Sequence, residues 1–487
     1  MTDREVRTVE IDLSRITEGP VIRVGEPGYA ATVSIDNGRI SQRPYLVVLP
    51  LSTTDVGKIV RYCHDNGLRL TTKSGGHSAA GYCLNSDGIV IDLSSLNSIS
   101  LLGDGSKVTV GTGTRWIQLY DHLQHHKSKY AVIGGGCGTV GLGGYLLGGG
   151  YSFISRSYGL ASDSITRMDV VAADGAVYNL DSGTSDKNER DLYWALRGAG
   201  GGNFGVVTAV DLQLHKTPTP TVMVGSIAFP IGRLAEILEF YNSWVLTLPS
   251  EMAVYGMLRR FPDPSKGGQP VLSLHLNPTY NGAFADGLAL LKPLTNMQPA
   301  SMELYSMTLP EWENYIGNGT SVKGRSAYIR SAVLGPGRLN TEVATICATY
   351  LNNSPSNDSF VVWTHTGGRI KEFGEDVSCF AHRDAEFAFE LKAIWDSAAP
   401  QEARHNIEWA VEFFDELEKH SQGAYLNYID PLLENWPTKY YRHLYKRLLE
   451  IKRHWDPKRR FDFQQGIGSD FRPNRRRPLD LSPLLVT

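Results

Sequence analysis

An α+β fold in two unlike parts is predicted for this chain by three observations. Up to Leu214, strand-like runs outnumber helical ones and are separated by three dense glycine turns. A Pro-interrupted stretch without periodicity, KTPTPT from Lys216 to Thr221, then reads as a domain boundary. Beyond it, strand-like runs such as VMVGSIAF, VLSLHL and SFVVWTHT alternate with helical stretches such as LAEILEFYNSWV. That alternation suits a sheet covered by helices.

The first half can be justified element by element. Ser52 opens a helix whose apolar residues, Val56, Ile59, Val60 and Cys63, recur at helical spacing until Gly67. LRLTT then reads as a strand delivering the chain into the turn KSGGHS, Lys73 to Ser78, which bears His77. A strand over 88–93, the alternating KVTVGTG and a helix over Trp116–His126 follow. MDVVAADGAVYNL predicts a hairpin around Asp174-Gly175. DLYWALRG predicts a short helix ending at Gly198, GAGGGN a glycine turn, and FGVVTAVDLQL a half-buried strand. No repeat of fixed period is present.

Composition bounds the function. The chain has 487 residues, 41% of them hydrophobic, enough for about two to four domains. A net charge of -3 gives no general attraction to nucleic acid or an acidic membrane. Between Lys439 and Arg477, thirteen Lys or Arg stand against four acids; with no groove-reading motif beside them, they read as a solvated face and tail. Charges in MTDREVRTVEIDLS occupy the place of a signal's apolar core, and no apolar run reaches membrane-span length, so a cytoplasmic protein is expected. Five widely spaced cysteines form neither a disulfide framework nor a CxxC metal site.

The richest chemistry lies between Gly134 and Gly150, where GGGCGTVGLGGYLLGGG holds ten glycines in seventeen residues around Cys137. Backbone this bare lets N–H groups approach a flat or phosphorylated ligand and adopts positive φ freely. A flexible linker would lack Val140, Leu142, Tyr145, Leu146 and Leu147. A nucleotide fingerprint is not read here: no GxGxxG opening a helix after a strand with an acid about twenty residues on, and no GxxxxGK[ST]. His122 and His126 at i,i+4 lack an evident third metal ligand, so no metal is expected. From the residues alone the reading ends at a closely wrapped ligand and a reactive thiol.

Four motifs carry a resemblance: KSGGHS at 73–78, the glycine-rich run extended through Ile165, GAGGGNFGVV at 198–207, and YLNY at 425–428 with WDPKRRF following. With these the chain resembles the FAD-linked oxidases of the berberine-bridge-enzyme-like group, within the vanillyl-alcohol-oxidase or PCMH-type flavoprotein superfamily. The resemblance implies a two-part PCMH-type FAD-binding domain over 1–217 (core 40–217). It further implies a substrate domain over 218–423, an antiparallel sheet covered by helices, and a segment over 424–487 returning to the FAD domain.

It also implies FAD attached twice, through His77 to the 8α-methyl carbon and through Cys137 to C6. Neutral imidazole and thiolate are both nucleophiles; the plain alternatives are a turn histidine and a buried free thiol. Lys73, Ser74, Gly75, Gly76, Ser78 and Tyr82 would border FAD on the first turn, and Gly138, Val140, Gly141 and Gly144 on the second. Leu160, Asp163, Gly202, Asn203, Val206, Tyr425 and Asn427 complete the implied cofactor site. Tyr428 matches the family's base, with a neighbouring tyrosine, cation or flavin dipole expected to lower its pKa; the plain alternative is a core tyrosine. Tyr151 matches the cavity floor.

Two departures stand out: Ser152 where members often have glycine, and His365-Thr366-Gly367-Gly368 where many have Tyr-Gly-Gly. His365 is a candidate substitute for the missing tyrosine. Val140 matches a position where valine accompanies oxidase activity. The implied reaction is hydride transfer from a C–H bond of an alcohol, sugar hemiacetal or secondary metabolite to flavin N5, with O2 reduced to H2O2. Oxidative cyclisation, redox-neutral isomerisation, a dehydrogenase with another acceptor, and a non-catalytic flavin-fold binding protein are the alternatives.

Overall fold

The structure is a computed structural model and describes residues 1–263, 266–320, 322, 324–396 and 399–473. The basic run at Arg475–Arg477 lies outside the described residues.

Two larger sheets and a two-stranded ribbon form the first half. In the smaller, strands Val21–Arg23, Leu46–Val48, Ile89–Asp92 and Leu70–Lys73 lie side by side in that order, the last three parallel. The helix Thr53–Asp65 covers it, capped by Ser52, whose hydroxyl accepts from the Asp55 N–H at 3.1 Å. Its buried Val56, Ile59, Val60 and Cys63 pack on Leu46, Val48 and Ile91. Burial of each such aliphatic side chain contributes about 1.5–3 kcal/mol.

The larger sheet of this half is antiparallel, in the order Ile99–Leu102, Lys107–Gly111, Gly205–Gln213, Ile165–Ala172, Val177–Asp181. Its last two strands form the hairpin read at Asp174-Gly175, where Gly175 takes φ +82 and Asp174 accepts from the Ala176 N–H at 2.9 Å.

The string Gly136–Gly141 does spell GxGxxG and opens the helix Leu142–Leu147, with Gly141 as N-cap. The strand before it, Tyr130–Ala131, pairs antiparallel with His215–Lys216 in a two-stranded ribbon, so a parallel βαβ nucleotide unit does not stand there.

A seven-stranded antiparallel sheet draws all its strands from Val222–Trp395. Helices Leu234–Trp244, Thr341–Asn352 and Pro400–Glu418 cover one face through a shared core that includes Trp363, Phe389 and Leu391. The period of two along each strand then turns Val362, Thr364, Ala388, Glu390 and Lys392 to the other face.

Past this sheet the chain returns to the first half. Lys452, on the helix Tyr445–Trp455, is buried, pairs with Asp456 at 2.6 Å and donates to the carbonyls of Asn203 (2.5 Å) and Phe461 (2.6 Å). That one ammonium ties the third glycine turn to the segment carrying WDPKRRF.

Candidate active site

A cavity of about 390 Å³ opens between the glycine turns and the uncovered face of the seven-stranded sheet. Its size falls within the range of small-molecule sites. The glycine turns forming one side are held together by backbone contact. A Cβ on Gly75 would lie 2.2 Å from the Gly141 nitrogen, and one on Gly141 would lie 2.2 Å from both the Gly75 nitrogen and the Ser74 hydroxyl. Gly144, by contrast, has nothing within 4 Å of its Cβ position and presents bare backbone to the cavity.

This packing brings His77 and Cys137 together on one wall. His77 Nε2 lies 3.0 Å from Thr139 Oγ1, and Cys137 Sγ lies 3.3 Å from the same oxygen. On the other side of the imidazole, Asp36 Oδ2 stands 3.7 Å from Nδ1. Burial pulls the His77 pKa down against the opposing pull of Asp36, which favours the neutral, nucleophilic ring.

Ser74, Gly75, Gly76, Ser78, Tyr82, Val140, Gly141, Gly144, Gly202, Asn203 and Val206 line the same cavity, as do Tyr151, Tyr425, Asn427 and Tyr428. Four of the residues carried by the resemblance, and the candidate substitute His365, stand outside it. The Lys73 ammonium is buried against Asp92 at 2.7 Å. Asp163 holds Arg383 at 2.6 and 3.0 Å and caps the Leu160 N–H at 2.9 Å, so its carboxylate is spent on the fold. Leu160 packs in a core with Phe380 and Val333, and Gly138 is not part of the cavity wall.

His365 is the fifth. It is wholly buried, accepts from the Val254 N–H at 3.2 Å through Nδ1, and places Nε2 3.1 Å from Glu386. Burial, reinforced by Arg156, lowers its pKa to about 3. Its side chain belongs to the covered side of the strand, and its neighbour Thr364 takes the place in the cavity. The substitute proposed for the missing tyrosine therefore does not reach the site.

Tyr428 does, but in unexpected company. It stands edge-on to Tyr425, ring centroids 5.2 Å apart, and shares the cavity wall with the Glu390 carboxylate, whose charge acts on its hydroxyl. Burial first, then Glu390 and Tyr425, push its pKa well above the usual value. Among the described residues the strongest charge acting on the phenol is an anion, Glu390, rather than a cation. Lys392 Nζ lies 3.1 Å from Glu390 Oε1, so phenol, carboxylate and ammonium form a row. Sequence reading missed Glu390 and Lys392, although FAFELKAIW carries a signal: opposite charges two residues apart on a strand whose other face is apolar.

Asn427 donates to the Tyr145 carbonyl at 3.1 Å and to the Tyr425 hydroxyl at 2.8 Å, and the Gly150 N–H donates to that hydroxyl at 3.1 Å. These bonds fix YLNY against the second glycine turn. The remaining sheet wall is mostly apolar, with Met257, Ile329, Val362 and Ala388 beside Tyr255, Asn277 and Thr364.

FAD fits the residues present. A nucleophilic imidazole and a thiol share one wall, Gly144 leaves space where any other residue would place a Cβ, and Gly76 and Gly202 line the cavity with positive φ.

Comparison with known proteins agrees with this geometry. Family models described as an FAD binding domain and as "Berberine and berberine like" match residues 44–181 and 424–468. The (R)-6-hydroxynicotine oxidase of Paenarthrobacter nicotinovorans is 32% identical over 481 residues, covering 93% of this chain and 97% of that protein. The solved 6-hydroxy-D-nicotine oxidase of Arthrobacter nicotinovorans superposes with a TM-score of 0.79 at 28% identity, covering 91% of this chain and 96% of the other. The xylooligosaccharide oxidase of Myceliophthora thermophila shares the fold, with a TM-score of 0.81 at 24% identity over 95% and 99% of the two chains.

Proposed function

The chain belongs to the berberine-bridge-enzyme-like family of FAD-linked oxidoreductases, and from that premise we propose that it is an oxidase with FAD bonded to both His77 and Cys137. Its substrate in this reading is a compact, largely apolar molecule with an oxidisable C–H bond beside one oxygen or nitrogen. The observation that carries the proposal is the Tyr428–Glu390–Lys392 row on the wall facing the glycine turns.

When bound, FAD supplies the two-electron acceptor and the route onward to O2, giving H2O2. The protein's part is proton handling. In this reading the Tyr428 hydroxyl binds the substrate heteroatom, and Glu390 on the same wall is the acceptor for its proton. As the heteroatom loses its proton to the phenol oxygen, the phenol's own proton passes to the carboxylate. Tyr428 therefore serves as base through Glu390, without having to exist as a free phenolate. Lys392 pairs with Glu390 at 3.1 Å and holds the carboxylate in place on the wall. Val140 lies on the cavity wall, where its small side chain leaves O2 room to approach.

Met257, Ile329, Val362 and Ala388 give the sheet wall an apolar strip that suits a secondary-metabolite-sized donor. The relative named as a hydroxynicotine oxidase supports a nitrogen-bearing donor as the second choice. An oxygen-electrode screen of alcohols, hemiacetals, benzylic donors and cyclic amines, with H2O2 quantified, tests the reading. One H2O2 per substrate oxidised is the expected result. Turnover without O2 consumption would point to an isomerase or to another acceptor.

A further inference from the structure

His77 and Cys137 touch through a third residue that the sequence motifs did not single out. Thr139 Oγ1 lies 3.0 Å from His77 Nε2 and 3.3 Å from Cys137 Sγ. Behind the ring, Asp36 Oδ2 is 3.7 Å from Nδ1. Carboxylate, imidazole, hydroxyl and thiol thus stand in line. A base oriented by a carboxylate and reaching a nucleophile is the general arrangement that activates a thiol, here with one hydroxyl inserted between base and sulfur.

Asp36 is itself firmly placed. Its N–H donates to the Gly76 carbonyl at 3.0 Å, and its carbonyl accepts from the Gly324 N–H at 2.8 Å. Next to it, Asn37 donates to the Ala327 carbonyl at 3.0 Å and accepts from the Ala327 N–H at 3.0 Å. The residue behind His77 is therefore strapped both to the first glycine turn and to the seven-stranded sheet. Thr139, in contrast, is exposed and its side chain supports no core contact.

We propose that Thr139 is the proton relay for attaching the cofactor at Cys137, and that Asp36 orients His77 for the same event. This rests on the doubly attached FAD proposed above. The thiol proton passes to Thr139 Oγ1 as the hydroxyl proton passes to His77 Nε2. The sulfur would then bond to C6 of the isoalloxazine as the C6–H bond breaks, its proton moving to a ring nitrogen and its electron pair into the ring, and O2 would take up two electrons and two protons as H2O2. Since Nε2 faces Thr139, Nδ1 is the nitrogen left to bond the 8α carbon, and Asp36 is placed to accept the proton that Nδ1 gives up. There the N–C bond would form as one methyl C–H breaks, its proton moving to a ring nitrogen and its electron pair into the ring, and O2 would again take up two electrons and two protons as H2O2. Thr139 is a positioning and relay residue; it bonds to neither cofactor nor substrate.

The test uses full-length holoenzyme, wild type beside Thr139→Val, Thr139→Ala and Thr139→Ser. Each is denatured, treated with iodoacetamide and analysed by intact mass and by mapping the peptides bearing Cys137 and His77. Wild type should show Cys137 blocked by flavin. Thr139→Val and Thr139→Ala should show at least fivefold more alkylated Cys137 with flavin still on His77, which proves that the variants fold and load. Thr139→Ser should return Cys137 to the wild-type level. Cys137 equally blocked in Val, Ala and wild type would overturn the relay alone. Cys137 fully alkylated in yellow wild type would overturn the doubly attached cofactor and the relay with it.

Discussion

Gly75 and Gly141 lie back to back, each leaving only 2.2 Å between a would-be Cβ and the other's backbone nitrogen. This contact brings the turn bearing His77 and the loop bearing Cys137 onto one wall. Both partners are backbone, so neither can rotate away from an added methyl. Gly75→Ala is expected to cost about 1–3 kcal/mol or more and to abolish flavin loading. Gly144→Ala, with nothing within 4 Å, should leave urea stability unchanged yet lower loading, because its methyl enters the cavity. Denaturation midpoints and flavin-to-protein absorbance ratios check both. Equal stability loss in the two variants would mean the glycines share one structural role.

Glu390→Gln tests the proton route. It removes the acceptor for the Tyr428 proton while preserving shape, and kcat should fall about 10²–10⁴-fold. Tyr428→Phe should give a loss in the same range, and the double variant should lose little more than either single, as expected for groups acting as one unit. Multiplying losses, read from steady-state kinetics, would show that the two residues act separately.

The buried His365 makes stability depend on pH. Its folded pKa, about 3, lies below the 6.5 of an unperturbed imidazole. The unfolded chain therefore binds the proton first, and the contribution is full above the unfolded value and lost as pH falls from there towards the folded one. Between pH 7 and pH 5 the loss is about 2 kcal/mol. His215, His275 and His382, each lowered to about 4 chiefly by burial, act in the same direction. Urea unfolding of wild type and His365→Gln at both pH values checks this. The variant should show the smaller pH dependence, and identical slopes would remove His365 from the account.

Local chemistry made much of this structure legible in the sequence. The Ser52 cap, the Asp174-Gly175 hairpin and the glycine turns each depend on residues adjacent in the chain, as do His77 and Cys137 within their motifs. The legible part ended where sheet pairing brings distant residues together. Whether His365 or Thr364 faces the cavity turns on a period of two whose phase is set by the helices packed on Trp363 and Phe389. Glu390 reaches Tyr428 only through the return of the chain after Gly423, and Asp36 reaches His77 only because Gly38 and Asn37 dock on Arg325 and Ala327. Asp163 matched a cofactor position, but Arg383, more than two hundred residues on, had already engaged it.

The doubly attached cofactor is the claim on which the site depends. Intact mass and absorption of the denatured protein test it most directly, in wild type, His77→Ala, Cys137→Ala and the double variant. The account predicts that wild type and both single variants stay yellow and carry the mass of one FAD, and that only the double variant releases it. A colourless, unmodified wild-type chain from a preparation that contained flavin would contradict the account.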